Sequence, residues 1–122
     1  MTPRIDSELE PQPPRASVVV VSHNRAERLR RCLESLEKSE GRDSIQIIVV
    51  DNASRDGAAQ LDADFPKVQF LRLPKNFGLT KAMNLGWRAA DSPYVLFLHD
   101  DTEVPPGAVM RLAEALDSHA EA

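Results

Sequence analysis

Two uninterrupted runs of mostly β-branched residues constrain the fold of this chain more than any other feature. They occupy residues 16–21 and 45–50, and neither alternates polar with apolar side chains. Continuous apolar runs of this length are typical of strands buried on both faces of a parallel sheet. Two less regular runs, residues 68–73 and 94–98, follow later in the chain. The sequence therefore predicts four strands.

Helical segments separate the predicted strands. The face of the first segment consists of Leu29, Cys32, Leu33 and Leu36. The spacing predicts further helices over residues 58–64 and 80–90, and a last one after Pro105 and Pro106. Strands that alternate with helices in this way predict an α/β fold with a doubly wound, mostly parallel sheet.

The periodicity also predicts which faces of the later helices are buried. The third helix is expected to bury Met83, Trp87 and Ala90. The last helix is expected to bury Val109, Leu112, Ala113 and Leu116. Asn24 and Glu27 have the spacing of a capping box at the start of the first helix.

Length and charge narrow the class of protein. A chain of 122 residues is enough for one domain. Its net charge of −4 argues against nucleic-acid binding, and it has neither an apolar run long enough to span a membrane nor a secretory leader pattern. The single cysteine excludes an internal disulfide. We expect a cytoplasmic protein with a disordered, proline-rich tail over residues 1–15 and one domain over residues 16–122.

Polar residues follow each predicted strand, where open parallel sheets bind their ligands. These strand-end residues are Ser22, His23 and Asn24; Asp51 and Asn52; Lys75 and Asn76; and His99, Asp100 and Asp101. Because parallel strands end at the same edge of the sheet, the sequence predicts that residues far apart in the chain meet there.

The acidic residues of this edge have two interpretations each. Asp100 and Asp101 either bind a divalent cation, which prefers carboxylate oxygens, or form a solvated turn. Asp51 either accepts a hydrogen bond from a base or ribose, or bonds to its own backbone. Asp56 is expected to cap the helix that follows it.

Several classes of site are excluded by missing motifs. The chain lacks the G-x-G-x-x-G fingerprint, the P-loop and the G-x-S-x-G elbow. The histidines do not have the spacing of a zinc site. A phosphoacceptor receiver domain needs an acidic pair after the first strand, whereas this chain has Ser22, His23 and Asn24 there.

Four segments in order resemble a known family. They are residues 18–25, residues 48–57, residues 76–86 with Asn76, Gly78, Asn84 and Gly86, and residues 98–102. Together they resemble the N-terminal half of the family 2 glycosyltransferases, which have the GT-A fold. The resemblance covers residues 17 to about 115.

This resemblance implies a nucleotide-diphosphate sugar as donor, Mg²⁺ or Mn²⁺ as cofactor, and transfer with inversion to a hydroxyl of a saccharide, a lipid-linked glycan or a protein. The implied nucleotide-sugar-binding residues are Ser22, His23, Asn24, Asp51, Asn76, Lys81, Asn84 and Asp100. The implied metal ligands are Asp101 and His99. Asp51 would contact the base.

The chain departs from the family in two residues and in length. His99 stands at the first acidic position of the metal motif, and Met83 stands where many members have an arginine, so that a cation there is either lost or supplied by Lys81. The family's domain is longer, so we expect an incomplete domain, a general base beyond Ala122, and an exposed sheet edge that favours self-association. The alternative is a non-catalytic nucleotide-sugar-binding module.

Overall fold

The computed structural model describes residues 13–57 and 60–119. The strands are β1 (Ala16–Ser22), β2 (Ile45–Asp51), β3 (Val68–Arg72) and β4 (Val95–His99). The helices are α1 (Ala26–Glu37), α2 (Leu61–Asp64), α3 (Leu79–Ala89) and α4 (Ala108–Ser118), and a 3₁₀ turn, Arg42–Ser44, precedes β2. Residues 1–12 of the predicted tail lie outside the described residues.

The four strands form one parallel sheet in the order β3-β2-β1-β4. In this register Val19 pairs with Ile48 of β2 on one side and with Phe97 of β4 on the other. The two continuous β-branched runs are therefore the central strands, as their pattern predicts. The α/β fold with a parallel sheet is confirmed.

Helices cover both faces of the sheet. The predicted face of α1 is fully buried and packs against β1 and β2 together with Val109 and Ala113 of α4. Helix α3 packs on the opposite face through Ala82. No helix in the described part of the chain is long and apolar enough to cross a membrane.

Helix α3 buries a different face from the predicted one. Ala82 and Gly86 are buried, whereas Trp87 is 61% exposed. The reason is the close approach of α3 to the sheet, since a Cβ on Gly86 would lie 2.4 Å from Cγ1 of Val19. The small residues therefore face the sheet, and the prediction that Met83 and Trp87 form the centre of the buried face is wrong.

Helix α4 is only partly covered. Val109 and Ala113 are buried as predicted, but Leu112 and Leu116 are each nearly half exposed. They line an apolar groove of about 270 Å³ beside β4, the outermost strand on that side of the sheet among the described residues. The expectation of an exposed edge agrees with this arrangement.

Candidate functional site

The loops after β1 and β2 are joined by hydrogen bonds. The Asn24 N–H donates to Ser54 Oγ at 2.8 Å, and the Arg55 N–H donates to Asn24 Oδ1 at 2.7 Å. His23 Nδ1 donates to the Asn52 carbonyl at 2.6 Å. Asn24 has a φ of 53°, a left-handed conformation that asparagine tolerates better than most residues. These contacts place both loops at one end of the sheet, as the sequence predicts.

Asn52 connects this pair of loops to the loop after β3. Its Oδ1 accepts the Phe77 N–H at 3.0 Å, and its Nδ2 donates to the Gly78 carbonyl at 3.2 Å. Asn76 Oδ1 in turn accepts the Gly78 N–H at 2.8 Å. The sequence placed Asn52 at this edge without a role, and the structure shows that it holds the third loop.

Asp51 is buried at the end of β2, and both of its carboxylate oxygens have partners. Oδ1 accepts the Ser54 N–H at 3.0 Å, and Oδ2 lies 2.5 Å from Arg72 Nη1. Arg72 occupies the paired position on β3 and also contacts Asp62. Asp51 therefore bonds to its own loop, and a carboxylate has further lone pairs for a ligand.

Asp56 caps α1, the helix that precedes it in the chain; the predicted cap of the following helix involves residues 58 and 59, which lie outside the described residues. Asp56 Oδ2 accepts the N–H of Ala26, the first residue of α1, at 2.8 Å. The predicted capping box is wrong, because α1 has no side-chain cap from its own N-cap residue and Asn24 bonds to Arg55 instead. The cap crosses between loops because the hydrogen-bonded loops bring Asp56 beside the start of α1.

Two adjoining clefts lie at this edge. The larger cleft, about 570 Å³, is lined by residues 23–24, 53–55 and 73–76. The smaller cleft, about 330 Å³, is lined by residues 21–23, 25, 52, 76, 78–79 and 99–100. His23 and Asn76 line both clefts, so one extended ligand could occupy the two together.

Asp100 lies at the base of the smaller cleft. It is buried, and its Oδ2 accepts a hydrogen bond from Ser22 Oγ at 3.2 Å. Its Oδ1 lies 3.7 Å from Nη1 of Arg25. The sequence predicted Ser22 and Asp100 at one site, and the structure brings them into contact.

His99, the last residue of β4, and Asp101, in the turn that follows, are both exposed. Within the described residues, the Asp101 side chain forms no hydrogen bond or ion pair, and no three acidic, histidine or cysteine side chains are grouped to hold a metal ion. The Asp101 carboxylate alone still fits one kind of Mg²⁺ or Mn²⁺ site, in which one carboxylate of the protein and the phosphates of the substrate together bind the ion.

Cys32 packs beneath this turn. Burial and, to a smaller extent, the negative charges of Asp100 and Asp101 together raise the pKa of its thiol to about 12. The thiol is therefore protonated at neutral pH and behaves as a small apolar group of the core.

Four predicted site residues line neither cleft: Asp51 and Asp101, which each adjoin a lining residue in the chain, and Lys81 and Asn84. Lys81 is exposed with its Nζ 4.4 Å from the centre of the Phe77 ring, and Asn84 is exposed on α3. Sequence reasoning also missed Arg25, which contacts Asp100, and Arg72, which contacts Asp51. Both arginines lie at or next to the end of a predicted strand, and this position could have identified them.

The chain belongs to a family of known enzymes. The family described as Glycosyl transferase family 2 matches residues 17–122, which is most of the chain. This match confirms the resemblance inferred from the four sequence segments, and it agrees with the parallel sheet and the polar strand ends.

Two curated proteins and one solved structure show the range of the similarity. The succinoglycan biosynthesis protein ExoO of Rhizobium meliloti is 32% identical over 107 residues, which cover 86% of this chain and 30% of ExoO. An N-acetylglucosaminyltransferase of Sinorhizobium fredii is 32% identical over 83% of this chain and 26% of its own length. Residues 1–349 of S. aureus TarS, solved in complex with UDP-GlcNAc, superpose with a TM-score of 0.79 and 25% identity, covering 87% of this chain and 32% of that one. The chain thus spans about a third or less of each.

Proposed function

We propose that this chain is the donor-binding part of a glycosyltransferase that transfers a sugar from a nucleotide diphosphate to an acceptor hydroxyl. The observation that carries the proposal is the pair of adjoining clefts at the carboxyl end of the sheet, with His23 and Asn76 in the lining of both. The similarity to a TarS structure with bound UDP-GlcNAc supports a uridine nucleotide as the first ligand to test.

The nucleoside occupies the larger cleft in this proposal. Asp51 bonds to the N–H of Ser54, which lines this cleft, and in this proposal accepts a base N–H, while Asn24 and Asn76 line its walls. The diphosphate and sugar extend into the smaller cleft, towards Ser22 and Asp100. This arrangement leaves Lys81 and Asn84 outside the donor's immediate surroundings.

A divalent metal would be held by the Asp101 carboxylate, with His99 beside it on the same turn. Such an ion, when bound, would neutralise the charge that develops on the departing diphosphate. The chain's own contribution is to place an exposed carboxylate next to the smaller cleft and to keep the neighbouring Asp100 engaged by Ser22.

We further propose that the acceptor site and the general base lie in the part of such proteins that this chain does not span. Positioning the acceptor is worth roughly 7–11 kcal/mol of barrier, and a placed base adds about 10²–10⁴-fold. The 122-residue chain should therefore bind donor but transfer little sugar. Robust transfer by this chain would assign the base to one of its own carboxylates, of which Glu103 is nearest to the turn after β4.

Calorimetric titration tests the binding proposal. The ligands are UDP, UDP-GlcNAc and other nucleotide-diphosphate sugars, each with Mn²⁺, with Mg²⁺ and with a chelator. Binding of at least one ligand, strengthened by metal and weakened in Asp51→Asn, supports the proposal. Absence of binding to all of them refutes it. A transfer assay on a longer protein that contains this segment, of the length of the family's relatives, distinguishes a glycosyltransferase from the non-catalytic binding module.

The two edges of the sheet differ in a way that favours self-association through β4. Strand β3 has Gln69 and Arg72 exposed, whereas β4 carries Leu96, Phe97 and Leu98 without a charge. Charged residues protect edge strands from pairing, and β4 lacks this protection. Antiparallel pairing about a two-fold axis at Phe97 would place Leu96 opposite Leu98 of a second copy.

Light scattering tests this proposal. We expect the parent chain to associate, Phe97→Lys to reduce its association, and Gln69→Lys on the other edge to leave it unchanged. A parent that stays monomeric at high concentration would contradict pairing through β4. The cytoplasmic location stays a prediction from the sequence.

A further inference from the structure

The smaller cleft contains one strongly basic side chain, and its partner is a buried carboxylate. Arg25 Nη1 lies 3.7 Å from Asp100 Oδ1; the Asp100 side chain is 8% exposed and that of Arg25 is 54% exposed. Among the described residues that line this cleft, Arg25 is the only lysine or arginine. Burying an unpaired carboxylate costs folding free energy, so the pairing with Asp100 keeps the Arg25 guanidinium at the cleft.

The other cations near this edge lie outside the smaller cleft, and Arg55 lines the larger cleft instead. Lys75 and Lys81 both lie over the Phe77 ring, at 5.2 and 4.4 Å from its centre. Arg72 contacts Asp51 and Asp62. Positive charge in the smaller cleft therefore comes from Arg25.

Guanidinium chemistry suits a phosphate in this place. Arginine has five N–H donors in a rigid plane and binds phosphate oxygens in pairs, which a lysine cannot do. The contact with Asp100 involves one side of the group, and more than half of the Arg25 side chain remains exposed. The first N–H of α1 is not the anion site, because Ala26 already donates to Asp56.

We propose that Arg25 binds the donor's diphosphate directly and that Asp100 holds its guanidinium in position. This inference rests on the proposed function and adds a protein cation to the metal expected at Asp101. It predicts that part of the affinity for a diphosphate survives when divalent metal is removed.

Calorimetry with UDP and uridine tests the proposal on the 122-residue chain, in Mn²⁺ and in EDTA. Arg25→Met should weaken UDP binding in EDTA by about tenfold or more, the usual scale for a charged hydrogen bond, and change uridine binding by less than about twofold. Arg25→Lys should recover part of the UDP affinity. Arg28→Met, which removes an exposed arginine one turn further along α1, should behave as the parent.

Each other result overturns the inference. Equal losses for uridine and UDP would mean that Arg25 acts only through the fold, and thermal melts of Arg25→Met and Arg25→Lys would show this directly. Unchanged UDP affinity in Arg25→Met would mean that Arg25 makes no contact. A parent that binds UDP in Mn²⁺ but not in EDTA refutes the inference and leaves the proposed function intact, whereas a parent that binds no nucleotide refutes both.

Discussion

The clusters at the ends of β2 and β4 are both acidic, but their carboxylates are held very differently. Asp51 has a partner on each oxygen, one from its own loop and one from Arg72. Asp100 also has a partner on each oxygen, but at longer distances, 3.2 Å to Ser22 Oγ and 3.7 Å to Arg25 Nη1, and Asp101 forms no hydrogen bond or ion pair with any other described residue. The β2 cluster is complete without a ligand, and the β4 cluster is not.

This difference follows from what each cluster is proposed to bind. A neutral nucleobase has its hydrogen-bond donors in fixed positions. It binds best to a carboxylate whose position is already fixed, because preorganisation lowers the entropy lost on binding. A metal and a diphosphate bring charges of their own, and a carboxylate bonded to the protein would be less available to them. Removing Asp51 should therefore affect both stability and ligand binding, whereas removing Asp101 should affect only the response to ligand and metal.

The largest effect on stability is expected from Asp51→Ala. The change takes a buried carboxylate away from the Ser54 N–H and from Arg72, and should lower the free energy of unfolding by about 1–3 kcal/mol. Urea denaturation measures this, and UDP binding should be lost as well. Asp62→Ala, which removes the exposed partner of Arg72, should cost less than about 1 kcal/mol. Equal costs for the two variants would contradict a preformed β2 cluster.

Asp56→Ala should have the next largest effect. It removes the side-chain cap of α1, a loss worth about 0.5–2 kcal/mol, and should leave UDP affinity nearly unchanged in the folded fraction. Asp43→Ala provides the control, because Asp43 is an exposed acid far from α1's first turn. A loss of UDP affinity at unchanged stability would show that Asp56 belongs to the ligand site.

Asp101→Asn should change stability by less than about 0.5 kcal/mol, because the exposed side chain has no bond to any described residue that could be lost. Its effect should appear in the calorimetric response to Mn²⁺, which we expect to disappear. Glu103→Gln, an exposed acid two residues further on, should keep that response. If both variants keep it, the metal is not held by Asp101 and the contrast between the clusters fails.

The smallest effect concerns an exposed pair at the opposite end of the sheet. The hydrogen bond from Tyr94 and then the contact with Arg15 lower the pKa of Asp117, while the same bond raises the pKa of Tyr94. A lowered carboxyl pKa stabilises the fold above the ordinary value near pH 4, and this contribution is lost as pH falls through the lowered value.

Tyr94→Phe should therefore reduce the urea midpoint slightly at pH 7 and less at pH 3. Asp117→Asn should show the same pattern if the pair is the cause. A difference that is equal at both pH values would show that Tyr94 stabilises the fold only by packing.

The sequence alone determined the parallel sheet and the position of the candidate site. Long β-branched runs identified the central strands, and the polar residues behind each run identified the edge at which Ser22, Asp51 and Asp100 meet. These features could be predicted because they depend only on local periodicity and on the rule that open parallel sheets bind ligands at the carboxyl ends of their strands. The family segments could be read for the same reason, since each is continuous in the chain.

Only the tertiary structure decided which side chains face each other. Ser22 and Asp100 are 78 residues apart, and Arg72 meets Asp51 because the register of β2 and β3 pairs those two positions. The buried face of α3 was set in the same way, by the space that Gly86 leaves against Val19. Strand register and the distance between helix and sheet depend on the packing of the whole domain, so no local pattern predicts them, whereas the alternation of strand and helix can be predicted from each segment.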